Sequence, residues 1–227
     1  AFLEKRLHKI VPEMFDLFVT PLVSVFVTVL VTLVAVGPIF VWAENAILGL
    51  IQALLTLPFG IGSFIVGLFY APTVVTGIHQ MYTAIDLGQL AQYGVTEWRP
   101  LASAAANIAQ GGAALAVAFK TRDAKIKGLA LPSALSAFMG ITEPAIFGVN
   151  LRFFKPFIAG CIGGGCGALV CALTSLAASG TGVTGIFGIL LCLAQPVQYA
   201  IMFAVAALVS FAISFVLYKD EPKASEQ

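Results

Sequence analysis

Charge is what this chain has least of. The 12 Lys+Arg and 11 Asp+Glu make up 10% of its 227 residues, where soluble domains carry about 25%. A net charge of +1 supplies no field that would draw in nucleic acid. Histidine is scarcer, with 2 residues, and no clustering of His, Cys or acids suggests a metal or cation site. The cysteines Cys161, Cys166, Cys171 and Cys192 all lie in apolar stretches. The first three are five residues apart, which turns successive ones about 140° around a helix. That spacing gathers neither a metal site nor a disulfide framework, so they read as small packing residues. No cofactor is expected. With no initiator Met and no signal peptide, the chain reads as part of something longer.

What is present is apolar. The chain is 59% hydrophobic with a mean hydropathy of +0.99. These values predict an all-α polytopic membrane protein, a single membrane domain over residues 1–227. Residues 1–13 form a basic start containing Glu4-Lys5-Arg6-Leu7-His8-Lys9. Residues 17–43 carry no charge until Glu44 and are long enough for one tilted crossing. A second charge-free stretch, 45–85, is cut by Pro58 and Pro72. A polar patch follows with Asp86, Glu97, Trp98 and Arg99, of which Trp98 and Arg99 read as interfacial anchors. Residues 100–119 are another crossing, rich in Ala and Gly.

The strongest basic loop, Lys120-Thr-Arg-Asp-Ala-Lys-Ile-Lys127, is expected on the cytoplasmic side. The lysine-bearing tail 219–227 is expected there too. Two inside ends require an even number of crossings between them. Residues 156–176 and 185–218 supply a pair, separated by the Gly/Ser/Thr-rich turn 175–185. The segment around Glu143 must then enter and leave on one side, as a re-entrant hairpin. The same parity makes 74–95 a crossing, broken around Gly77-Ile-His-Gln80. The total is about six crossings plus one hairpin. Gly160/Gly164 and Gly163/Gly167 are small-xxx-small pairs that let helices approach closely. A phosphate-cradling loop would need a Gly-Lys-Ser/Thr ending, which is absent.

Glu143 is a carboxylate between nearly uncharged segments, where a charge at the bilayer centre costs about 2.5 kcal/mol or more. Gly140 and Pro144 interrupt the helix around it, and irregular backbone at membrane depth survives only inside protein or beside a cavity. Few other polar side chains lie in apolar regions. His79 and Gln80 follow Gly77 at a helix break. Asn107 and Gln110, three apart, share a helix face. Thr142 precedes Glu143 and Asn150 ends the hairpin. A histidine, amides, a hydroxyl and one carboxylate can donate to and accept from several hydroxyls at once. The candidate substrate-binding residues are therefore Glu143, His79, Thr142, Asn107, Gln110 and Gln80. Each has a structural alternative: a histidine bonding a neighbouring carbonyl, or amides acting as interhelical glue.

These residues also carry a resemblance. Gly140-Ile-Thr-Glu-Pro-Ala-Ile-Phe-Gly148 is similar to the signature of EIIC, the membrane component of bacterial sugar phosphotransferase systems, in its glucose superfamily. Thr76-Gly-Ile-His79 and Asn107-Ile-Ala-Gln-Gly111 match two further blocks in the family's order. Residues 119–127 and Gly148-Val-Asn-Leu-Arg152 lean toward the sucrose/trehalose/β-glucoside branch, nearest to sucrose permeases. The dense match covers residues 72–156, and the chain resembles the C-terminal, sugar-binding portion of an EIIC.

The resemblance implies a homodimeric, multi-pass permease of the bacterial inner membrane, surrounded by lipid, with a disaccharide held near the midplane. It implies that Glu143 and His79 contact sugar hydroxyls, and that the hairpin moves to alternate access. A cytoplasmic EIIB domain then phosphorylates the sugar from a phosphocysteine. Glu143 would orient the attacking hydroxyl or accept its proton, a role open to any carboxylate within hydrogen-bond reach. The EIIB signature is absent, and no cysteine sits in the electropositive setting that favours a thiolate. The donor is expected outside this chain, which would act as the membrane component of a transferase. The alternatives are a trehalose or β-glucoside permease, a proton-coupled sugar transporter in which Glu143 and His79 relay protons, and a non-transporting remnant or sensor.

Overall fold

The protein is described by a computed structural model over residues 2–7, 11–55 and 57–220. Ala1, His8, Lys9 and Ile10 of the basic start and residues 221–227 of the tail lie outside the described residues. Contacts divide the chain into two compact units, Ala1–Gly49 and Leu50–Gln227. The first contains α1 (Phe2–Leu7), α2 (Glu13–Val31), a π-helical turn at Thr32–Val36 and the start of α3 (Gly37–Leu55). The Thr20 hydroxyl donates to Asp16 Oδ1 one turn back, at 2.6 Å, so this acid is satisfied within its own helix.

The second unit holds the site. A 3-10 turn, Pro58–Gly60, leads into α4 (Ile61–Val75). Pro72 sits in the last turn of α4, and Gly77 follows at φ 80, a left-handed conformation natural to glycine. A 3-10 turn, Ile78–Tyr82, then joins α5 (Thr83–Tyr93). A π-helical turn, Arg99–Ala104, opens α6 (Ala105–Lys120). Asp123 caps α7 (Ala124–Phe138), its carboxylate accepting from the Lys125 N–H at 2.8 Å, which satisfies an otherwise orphaned donor.

After Gly140 the chain folds back through α8 (Glu143–Ala145), a π-helical turn at Ile146–Asn150 and α9 (Leu151–Phe153). The first two of these pack on α7, forming the expected hairpin with Glu143 near its tip. The unit ends with α10 (Lys155–Thr174), a 3-10 segment at Gly185–Leu191 and α11 (Pro196–Leu217).

Among the described residues, five helices are long and apolar enough to cross a bilayer: Phe15–Ile39, Pro58–Val75, Arg99–Lys120, Lys155–Thr174 and Pro196–Leu217. The protein is an all-α, multi-pass membrane protein. The expected crossing at 74–95 is not among them: the chain breaks at Gly77 as anticipated, and α5 has only 11 residues, too few to span alone. The last expected segment, 185–218, is helical across the bilayer only from Pro196. Its first part folds back, with Ser179 N–H donating to Leu191 O at 2.8 Å.

Helix α10 packs against α4, α6 and α11, and its glycines explain how. A Cβ on Gly163 would stand 2.6 Å from Ser210 Cβ and 2.8 Å from Ala206 O; one on Gly164 would stand 3.0 Å from Gly67 O. Backbones meet there with no room for a side chain. Lipid offers apolar groups as good a home as protein does, so helices in a membrane associate through such close contact. The cysteines behave accordingly: all four are free, with Cys161, Cys171 and Cys192 buried.

Candidate functional site

Polar side chains converge on one cavity of about 180 Å³. Its lining includes His79, Gln80, Asn107, Thr142 and Glu143, five of the six residues singled out from sequence. Each arrives from a different kind of break. His79 and Gln80 ride the 3-10 turn after Gly77, and Gln80 Nε2 lies 3.2 Å from His79 Nε2. His79 Nδ1 is buried and has no hydrogen-bond partner among the described residues. Asn107 lies in the first turn of α6 and donates through Nδ2 to Thr184 Oγ1 at 2.9 Å.

Thr142 and Glu143 begin the return arm of the hairpin. Gly140 has φ 103, and a Cβ there would stand 2.8 Å from Thr184 Oγ1. Next to it, a Cβ on Gly185 would meet Phe138 O at 2.2 Å. The hairpin tip therefore rests directly on the backbone at 184–185, and the Tyr199 hydroxyl of α11 donates to Gly185 O from the far side. This stack holds Thr142, which is buried, and Glu143, which is exposed, beside Asn107. The Glu143 carboxylate makes no hydrogen bond or ion pair among the described residues. It is left open toward the cavity it lines.

Gln110 is not brought to the cavity. Three residues along a helix share a face only approximately, and the extra 60° turns this amide toward α10. Gly160 leaves room for it: a Cβ there would stand 2.5 Å from Gln110 Nε2. Asn150 Nδ2 donates to both Gln110 O (2.9 Å) and Gln110 Oε1 (2.7 Å), and Gln110 Nε2 donates to Phe157 O at 3.4 Å. This buried pair ties the hairpin to α6 and α10.

The structure adds residues that the sequence reading placed elsewhere. Trp98 and Arg99 are not interfacial anchors: Trp98 is 2% exposed, and both line the cavity. Trp98 packs edge-on to Tyr82 at 5.2 Å, and Tyr82 lies 5.8 Å from Tyr70, so an aromatic wall backs the polar groups. Arg99 Nη2 pairs with Asp86 Oδ2 at 2.7 Å and donates to the Thr181 hydroxyl. Asp86 also takes hydroxyl contacts from Thr96 (2.9 Å) and Thr181 (3.3 Å). Gln89 Oε1 accepts from the Glu97 and Trp98 N–H groups, each at 3.1 Å, fixing the loop that carries Arg99. The readable signal was an Asp and an Arg thirteen residues apart between apolar segments, with few other charges to pair with.

No group of three or more His, Cys, Asp or Glu side chains able to hold a metal ion occurs among the described residues. The cavity lining gathers one unpaired carboxylate, one imidazole, two amides, hydroxyls and a neutralised guanidinium beside aromatic rings, groups that can donate to and accept from several hydroxyls at once.

Residues 1–164 match the family model described as phosphotransferase system, EIIC. A sucrose-specific EIIBC component of a phosphotransferase system from Bacillus subtilis (strain 168) is 42% identical over 96% of this chain and 48% of its own length. One of the same description from Pasteurella multocida (strain Pm70) is 43% identical over 96% of this chain and 46% of its own. A trehalose-specific EIIBC component from Escherichia coli (strain K12) is 37% identical over 95% and 45%. The chain spans about half the length of these relatives. No solved structure matches.

Proposed function

We propose that this chain, which belongs to the phosphotransferase-system EIIC family, is the sugar-binding portion of a disaccharide permease whose substrate is sucrose. The observation that carries the reading is the cavity itself. An unpaired Glu143 carboxylate, the His79 ring, Asn107 and Thr142 meet there against an aromatic wall. Sugar hydroxyls donate to the carboxylate and accept from ring and amide N–H groups, while tyrosine and tryptophan rings suit the apolar faces of a pyranose.

In this proposal the chain forms one domain of a bacterial inner-membrane homodimer with its C-terminus in the cytoplasm. The phosphoryl group comes from a phosphocysteine of an EIIB part outside this chain, which the EIIBC descriptions of the relatives support. A sugar hydroxyl oxygen attacks phosphorus, the S–P bond breaks as the O–P bond forms, and the hydroxyl proton passes to the Glu143 carboxylate. The hydrogen bonds from Thr184 to Gly140 and from Asn107 to Thr184 hold the hairpin tip over the cavity, where its displacement would open one side. The whole assembly acts as a transferase, with this chain as its transporting part.

Trehalose is the second reading, favoured by the 37% identity to a trehalose-specific relative. A thermal-shift and binding panel on the purified chain in detergent separates the two, using sucrose, trehalose, maltose, glucose and a β-glucoside. A sugar bound only by the folded state raises stability by about 2.7 kcal/mol at a hundredfold excess over Kd. Sucrose is expected to give the largest shift, and Glu143→Gln to abolish it without lowering the ligand-free melting temperature. A cooperatively melting protein that answers to no sugar refutes the proposal.

A further inference from the structure

We propose that Arg99 is itself a substrate-binding residue, donating a hydrogen bond to a sugar hydroxyl in the cavity, and that Asp86 is the positioning residue that aims it. The inference rests on the sugar-binding reading above. Its starting point is an inventory of donors. A hydroxyl that gives its proton to Glu143 has lone pairs left over, and a bound sugar needs N–H groups to meet them. The Asn107 amide already uses one N–H on Thr184, and the Gln80 amide faces His79. Arg99 also lines the cavity with its side chain partly exposed, and of the five N–H donors in its fork only those on Nη2 are engaged among the described residues.

The guanidinium is unusually well fixed for a side chain beside a cavity. Nη2 is held by Asp86 Oδ2 at 2.7 Å and by the Thr181 hydroxyl. Asp86 is itself immobilised by Thr96 and Thr181, its side chain only 3% exposed against 14% for Arg99. One corner of the planar fork is thus anchored at Nη2, while Nε is buried without a partner and Nη1 makes no hydrogen bond among the described residues. A buried N–H left unmet costs about as much as a lost hydrogen bond, so the ion pair with Asp86 does not by itself satisfy the fork. Lysine cannot reproduce the arrangement, since its ammonium is a point charge without a second, directed edge. Pairing with Asp86 has a further consequence: the cavity gains a strong donor but no net charge, which suits an uncharged sugar.

The test is equilibrium binding of sucrose and its monodeoxy analogues to the full 227-residue chain in detergent, with Arg99→Lys and Asp86→Asn beside the wild type. Arg99→Lys is expected to lower sucrose affinity on the order of tenfold while melting within a few degrees of the wild type without sugar. One deoxy analogue should bind the wild type on the order of tenfold more weakly than sucrose, yet bind Arg99→Lys as well as sucrose does. That non-additivity marks a direct contact and is not moved by loss of a brace alone. Asp86→Asn should shrink the penalty of the same analogue, and it serves as the readout if Arg99→Lys does not melt cooperatively. Unchanged sucrose affinity in folded Arg99→Lys, or deoxy penalties equal to wild type in every folded variant, overturns the role of Arg99 and leaves the sugar reading standing. A folded wild type that binds none of these sugars overturns both.

Discussion

Arg99–Lys120 and Pro196–Leu217 have the same length, 22 residues, and opposite surroundings: over an apolar 18-residue window of each, 94% of the first is buried inside the protein against 22% of the second. The buried one is the less apolar. It is built of Ala and Gly with Asn107 and Gln110 among them, whereas α11 carries Phe, Ile, Val and Leu, with Leu208 and Val216 facing outward. In water the order would be reversed. In lipid, large apolar side chains cost nothing on the outside, so the core goes to small residues that let backbones touch and to polar groups that find partners there. The contrast also runs along α11 itself, whose buried residues Tyr199, Met202, Ala206, Ser210 and Ser214 form a single stripe at helical spacing. Ser214 donates from that stripe to Ala113 O of α6 at 2.9 Å.

The sharpest way to break this contrast is to enlarge the core. Gly163→Leu places carbon where Ser210 Cβ and Ala206 O already stand within 3 Å of the missing Cβ, and neither backbone can yield. The expected loss is about 3 kcal/mol, seen as disappearance of the cooperative melt in detergent. Leu208→Ala removes a larger side chain from the outward face of α11, and should change stability by less than about 0.5 kcal/mol. Equal effects from the two would mean that α10 and α11 do not pack as described.

A finer version sets Asn107 against Gln110, one turn of the same helix. Asn150→Ala strips the Gln110 side chain of its Oε1 partner, leaving a buried amide oxygen unmet, and should cost about 1–3 kcal/mol. Sugar affinity measured on the protein that remains folded should not change. Asn107→Ala is expected to do the reverse, weakening sugar binding more than it lowers the melting temperature. A sugar defect in Asn150→Ala as large as that in Asn107→Ala would move Gln110 back toward the substrate.

The same pair marks how far the sequence could be read. Glu143, His79, Gln80, Asn107 and Thr142 were legible because polar groups amid apolar residues stand out, and breaks at Gly77 and Gly140 showed where backbone leaves the helix. Helix identities followed from charge-free length. Asn107 and Gln110 could not be separated, since the difference lies in Gly160 of another helix, fifty residues on. Arg99 and Asp86 were lost for the opposite reason. In a polar patch between apolar segments, a solvated arginine beside a tryptophan is the ordinary reading, and only the folded loop at 175–185, bringing in Thr181, turns both residues inward. Thr184 was hidden by composition, one hydroxyl in a turn rich in them.

The smallest expected effect lies where α6 and α11 end together. Thr121 donates to Asp220 Oδ1 at 2.8 Å, the Arg122 N–H to Oδ2 at 2.7 Å, and the Tyr218 hydroxyl to Oδ1 at 2.8 Å. Desolvation, the largest single influence, pushes the Asp220 carboxyl up, but these donors and the Arg122 charge together outweigh it and hold the group below the ordinary carboxylate range. A depressed folded-state value means that the ionised form is the one the fold favours. Its contribution is therefore complete above the unfolded value, about 3.9, and fades as pH falls through the lower folded one. Asp220 is exposed, so the contribution is modest and screened. The melting temperature of Asp220→Asn should lie slightly below wild type at neutral pH, and the two should converge below pH ~4. A gap that widens on acidification would mean that the carboxylate opposes the junction it touches, leaving the Phe153–Tyr218 ring contact at 5.0 Å to fasten the hairpin exit to the end of α11.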